Sequence, residues 1–181
     1  PFHMDGAGIA RVLREELLPA LAGCSVDSVR FYGTGCTADK IPAMKSLLAD
    51  VLGCTNVFVG SDLLGAAHAL CGDGEGIACI LGTGANSCLY DGHRITANTP
   101  PLGYILGDEG SGAVLGRTFL NGIFKGWISP AVRDLYLSET NQTYADVINN
   151  VYRQPLANRY LARIAKFLGR HKAEYPEISA M

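Results

Sequence analysis

A chain of 181 residues, 48% of them hydrophobic, can bury a sizeable core and has the length of one large domain or two small ones. Its 15 Lys and Arg against 17 Asp and Glu leave a net charge of -2, so the composition as a whole gives no sign of a polyanion-binding surface and no nucleic-acid partner is expected. No apolar run reaches the roughly 18 residues of a membrane helix and PFHMDGAG is no signal peptide, so the composition reads as soluble, cytoplasmic and without a membrane partner.

Ile9, Val12, Leu13, Leu17 and Ala20 recur at helical spacing and predict an amphipathic helix over 6–22, with Asp5 placed as its N-cap. A short strand over 28–32 runs into Gly33-Thr34-Gly35. Ile41, Met44, Leu47, Leu48 and Val51 then restore the helical period until Gly53 stops it. A second strand over 56–59 leads to Ser61-Asp62 and a helix over 63–70, which puts two polar side chains where open α/β sheets hold their ligands. The run GDGEG (72–76) has the glycine and charge density of a connection, so a domain boundary is expected between 73 and 74.

Beyond it, three β-like runs over 77–81, 85–90 and 93–97 form a meander, the last turn signalled by Asp91-Gly92. Helices are expected over 111–124, 131–137, 144–151 and 156–168, the last reading as core packing through Leu156, Tyr160, Leu161, Ile164 and Leu168. The six cysteines form no C-x-x-C pair and read as buried, reduced thiols. The segments FYGTGCT (31–37) and ILGTGAN (80–86) echo each other, as two related half-domains or chance would produce.

Three constellations carry candidate chemistry. In Gly82-Thr83-Gly84-Ala85-Asn86 the glycines allow backbone N–H groups to converge on an anion and Thr83 adds a hydroxyl; a plain hairpin turn is the alternative. Ser87 stands where a dinucleotide fingerprint needs its third glycine, and a strand rather than a helix follows. In Gly107-Asp108-Glu109-Gly110-Ser111-Gly112, Ala113 occupies the place of a Walker A lysine, so two carboxylates bracketed by glycines remain, as helix caps or as an accessible acidic pair. Asp62 is a helix cap or a base at a strand end, while His68 and His93 show no partner pattern.

The order of VGSDLLGAAHAL (59–70), ILGTGANSCLY (80–90) and PLGYILGDEGSGAVLGR (101–117) resembles the N-acetylglucosamine kinase group of the acetate and sugar kinase, heat-shock ATPase and actin superfamily, over roughly residues 28–125. The resemblance implies an α/β fold of two ribonuclease H-like domains with the active site in the cleft between them, residues 1–73 ending the first and 74–181 starting the second. It implies a kinase using ATP and Mg²⁺ on the 6-hydroxyl of an amino sugar, and it allows a homodimer. Asp62 would be the general base, Gly82, Thr83 and Gly84 would bind ATP phosphate, and Asn86 and Asp108 would bind sugar hydroxyls. Gly33 and Thr34, within the Tyr32–Gly35 turn, would form another wall of the sugar pocket. Leu102 and Gly103, after Pro101, replace the Gly-Trp-Gly run of the animal enzymes, so part of the sugar contact differs. The family's first phosphate hairpin, which also organises Mg²⁺, and its adenine-binding segment do not occur in these residues, and the Mg²⁺ ligands are unknown. Together with abrupt ends at Pro1 and Met181 this reads as an excerpt of a longer chain. The rival readings are an activator ATPase of a 2-hydroxyacyl-CoA dehydratase and a non-catalytic sugar sensor.

Overall fold

The computed structural model describes residues 4–181. The chain forms two compact units, one comprising the residues up to Ala78 with Cys88–Ala97, the other Cys79–Ser87 with Asn98–Met181.

In the first unit, α1 (Gly6–Val12) starts at Asp5, whose Oδ1 accepts the Gly8 N–H at 2.8 Å. The single regular helix expected over 6–22 is interrupted: a π-helical turn (Leu13–Leu17) leads into α2 (Leu18–Ala20), with the Leu18 N–H reaching back to the Leu13 carbonyl. Pro19 follows at once and has no N–H to continue the regular ladder. Strand β1 (Val29–Gly33), helix α3 (Ile41–Leu52) and strand β2 (Val57–Ser61) make a parallel crossover, with Val29 opposite Val57 and Gly33 opposite Ser61. Cys36, Met44, Leu48, Val57 and Val59 form its core, against which Ile9 and Leu13 of the first helical segment pack. Helix α4 (Asp62–Cys71) begins directly at the end of β2.

Strands β3 (Glu75–Leu81), β4 (Ala85–Asp91) and β5 (Ile95–Thr99) form a sheet in sequence order and contribute residues to both units. β5 starts two residues later than the alternation indicates, and His93 lies in the turn. The Asp91 carboxylate accepts the N–H groups of His93 and Arg94 at 2.9 and 2.8 Å, and the Asp91 N–H donates to the Arg94 carbonyl, which closes the hairpin over Gly92 and His93. Gly92 has φ 91°, and a Cβ there would stand 2.5 Å from the Asp73 carbonyl oxygen. Cys24 and Cys79 are exposed, which corrects the reading of all six thiols as buried; Cys79 shares a strand face with the exposed Ile77 and Leu81.

The second unit is helical: α5 (Gly103–Leu106), α6 (Gly112–Lys125), α7 (Pro130–Thr140), α8 (Tyr144–Tyr152), α9 (Ala157–His171) and α10 (Pro176–Ser179). The two four-residue helices are too short to leave a periodic signal. Phe119, Tyr136 and Phe167 pack ring to ring at the centre of its core, with centroids 5.2–5.5 Å apart. Helices α6 and α9 cross closely because Gly112 and Gly116 face the backbone of Leu161 and Ala162. Glu139 of α7 ties down the end of α9 through Arg170 and His171 at 2.7 and 2.8 Å. Helix α8 opens with a reciprocal cap, Thr143 Oγ1 accepting the Asp146 N–H and the Asp146 carboxylate accepting the Thr143 N–H. Thr143→Ala is therefore expected to cost about 1 kcal/mol in urea denaturation with activity unchanged. Among the described residues no helix is long and apolar enough to cross a membrane.

Candidate functional site

The first half of the candidate site follows from the register of β1 and β2. Gly33 and Ser61 are paired last residues, so the chain leaves both strands side by side. The next two side chains then meet: Thr34 Oγ1 donates to Asp62 Oδ2 at 2.6 Å, and Asp62 Oδ1 accepts the Leu63 N–H at 3.0 Å. Asp62 is half-buried and Thr34 exposed, so the carboxylate is held but reachable. The cap reading of Asp62 is corrected, since Ser61 is the N-cap and its Oγ accepts the Leu64 N–H at 3.1 Å. Asp62 occupies the first turn of α4, where the helix dipole favours a negative charge.

His68 does have a partner. Its Nδ1 lies 2.7 Å from the Tyr32 hydroxyl, and its ring contacts those of Phe58 and Tyr90. Tyr32 in turn lies across Gly65, where a Cβ would stand 2.8 Å from its Cγ. These contacts fasten α4 to β1 two residues ahead of Thr34, and so steady the Thr34–Asp62 pair.

In the second unit Gly82, Thr83 and Gly84 form the turn between β3 and β4, closed by the Gly82 N–H on the Gly84 carbonyl at 2.9 Å. The first turn of α6 grips this loop from below. Its Gly112 and Ala113 N–H groups donate to the carbonyls of Gly82 and Thr83 at 2.8 and 3.3 Å, which satisfies donors that a helix start leaves open. Ser111, fully buried, caps the helix through the Val114 N–H, so neither Asp108 nor Glu109 serves as the cap. Asp108 has φ 59°, a left-handed conformation unusual for a non-glycine residue, and its carbonyl accepts the Ser111 N–H. Its carboxylate stands against Gly84, where a Cβ would come within 2.7 Å of Oδ2. Gly84 thus leaves room for this carboxylate, and its φ is not positive.

Asn86 Oδ1 accepts the Ser87 N–H and the Nδ2 group of Asn98, at 2.9 and 2.7 Å, which leaves the Asn86 amide nitrogen as its donor end. Asn98 was not singled out from the sequence, although the Asp91–Arg94 turn sets a register that brings it opposite Ser87. Leu102 is exposed and Gly103 opens α5 with φ 75°. Arg117 of α6, also missed, donates to the carbonyls of Tyr104 and Ile105 and pins this turn. The structure therefore gathers Thr34 with Asp62 in one unit, and Gly82, Gly84 and Asp108 in the other, with Asn86 held separately by Asn98. Among the described residues no three His, Cys, Asp or Glu side chains converge as metal ligands.

Two solved structures similar to this one define the class first. A crystal structure of a candidate N-acetylglucosamine kinase from Porphyromonas gingivalis matches 99% of this chain with a TM-score of 0.95 and 49% identical residues. A second candidate N-acetylglucosamine kinase, from Chromobacterium violaceum, matches 96% of this chain with a TM-score of 0.64 and 22% identity, which speaks for the fold alone. No family model and no curated protein matches the chain. The protein is an α/β protein with the fold of these sugar-kinase structures. It is similar to these N-acetylglucosamine kinase-like proteins over less than two thirds of their length, spanning 64% of the P. gingivalis protein and 62% of the C. violaceum protein.

Proposed function

We propose that this chain is part of an ATP-dependent kinase that phosphorylates an amino sugar, with N-acetylglucosamine and its 6-hydroxyl as the preferred acceptor. The observation that carries the reading is the Thr34–Asp62 pair, an accessible carboxylate fixed by two donors at the carboxyl ends of parallel strands. In this reading Asp62 takes the proton of the sugar hydroxyl as its oxygen attacks the γ-phosphorus and the bond to the ADP oxygen breaks. The loop of Gly82, Thr83 and Gly84 holds phosphate, its geometry fixed in advance by α6. Mg²⁺ would neutralise charge on the phosphate oxygens. Asp108 accepts from sugar hydroxyls and the Asn86 amide donates to them, and Gly33, Thr34, Leu102 and Gly103 take part in binding the acceptor. The fold this implies is ribonuclease H-like, with a first domain ending near Asp73 and a second opening with β3. Likeness to sugar-kinase structures favours this reading over the dehydratase-activator ATPase.

The test is ADP release by the full-length protein against a panel of amino sugars and plain hexoses. Release with N-acetylglucosamine well above that with glucose supports the proposal, and absence of release with every sugar removes it. In the same assay Asp108→Ala is expected to raise the KM for sugar about 10- to 150-fold, the equivalent of roughly 1.5–3 kcal/mol for hydrogen bonds to a charged group. The KM for ATP should stay within about twofold, because uniform loss of sugar binding leaves the nucleotide contacts intact.

A further inference from the structure

Helix α9 has two faces. Leu161, Ile164, Phe167 and Leu168 are buried in the core, whereas Arg159, Arg163 and Lys166, spaced four and three residues apart, are exposed on the opposite side. All three border a hollow of about 630 Å³ whose other walls include Gly82 and Thr83 and which no Asp or Glu lines. Arg94, Arg133 and Arg170 each pair with a carboxylate. Among the described residues Arg159, Arg163 and Lys166 have no such ion pair. Three like charges on one helix face repel each other, and a bound anion would relieve that cost.

The approach of this face to the loop has a specific cause. Gly112 and Gly116 lie one turn apart on α6, and a Cβ at Gly112 would already touch Ala162 at 3.3 Å. The α6 donors nearest the loop are spent on the Gly82 and Thr83 carbonyls, so positive potential in the hollow has to come from side chains. The volume lies within the range of roughly 300–1,000 Å³ usual for small-ligand sites.

We infer that Arg159, Arg163 and Lys166 of α9 form a cationic wall that binds the polyphosphate tail of the nucleoside triphosphate beside the Gly82–Thr83 loop. The assignment rests on the kinase reading for the identity of the ligand, and on the hollow itself for its anionic character. Guanidinium groups suit the task because their fork of donors fits two phosphate oxygens at once.

The test is calorimetric titration of the full-length protein with ADP and with inorganic tripolyphosphate, alongside steady-state kinetics. Arg159→Gln and Arg163→Gln are each expected to raise the Kd for both ligands about 3- to 10-fold and to flatten its dependence on salt, with the KM for sugar unchanged. Arg163 and Lys166 also border a second hollow of about 400 Å³ that includes Arg170, whereas Arg159 borders the first alone. Arg170→Gln should therefore leave both Kd values unchanged. Wild-type Kd values in Arg159→Gln and Arg163→Gln would overturn the inference, as would weakening by Arg163→Gln and Arg170→Gln but not by Arg159→Gln. Should no sugar give ADP release while tripolyphosphate binds and depends on Arg159 and Arg163, the kinase reading fails and the cationic wall stands.

Discussion

Asp62→Asn in the full-length protein is expected to lower kcat about 10²- to 10⁴-fold while sugar binding and stability change little. The substitution is nearly isosteric. An Asn side-chain oxygen can still accept the Leu63 N–H, and the Thr34 hydroxyl, which now donates to Oδ2, can rotate to accept from the amide. What disappears is the ability to take a proton. Because Ser61 rather than Asp62 caps α4, the alternative of a purely structural carboxylate makes a distinct forecast. Asp62→Asn would then keep near-full activity, and Ser61→Ala alone would destabilise the helix, by about 1 kcal/mol. A variant that retained more than about a tenth of the wild-type kcat would remove Asp62 from the mechanism.

The largest effect on stability is expected at Gly116. In an exposed helix Gly→Ala should stabilise by about 0.5–1 kcal/mol, since alanine loses less backbone freedom on folding. At Gly116 the added Cβ would fall on the carbonyl group of Leu161, and backbone cannot turn aside as a side chain can. Forcing extra volume into a well-packed contact costs roughly 1–3 kcal/mol, occasionally more, so overpacking outweighs propensity. Gly116→Ala should thus destabilise by about 2 kcal/mol, and Gly116→Val by more. Gly169 provides the control: it lies in α9 with nothing within 4 Å of an added Cβ. Gly169→Ala should be neutral or stabilising in the same denaturation experiment, and equal behaviour of the two alanine variants would refute the close crossing of α6 and α9.

Much of this protein was written in its local sequence. Helical spacing located α3, α6, α8 and α9 to within a few residues, alternation and turn chemistry located β3, β4 and their hairpin, and Asp5 marked the start of α1. These features are legible because periodicity and capping are properties of neighbouring residues. The spacing of α9 also revealed its buried face through Leu161, Ile164 and Leu168, although Leu156 is exposed ahead of the helix, but not that the remaining charged face looks onto a glycine loop far earlier in the chain. Such facts depend on which elements become neighbours. The parallel register of β1 and β2 joined Thr34 to Asp62 across 28 positions and left Ser61, the more ordinary residue of the pair, to cap the helix. The crossing of α6 on α9 decided that Gly116 is a packing requirement, and the left-handed turn at Asp108 decided that Gly84 makes room for a carboxylate. Sequence set the elements because local hydrogen bonding and burial patterns act within a few residues; tertiary packing set the partners because side-chain contacts form only once distant backbones are brought together.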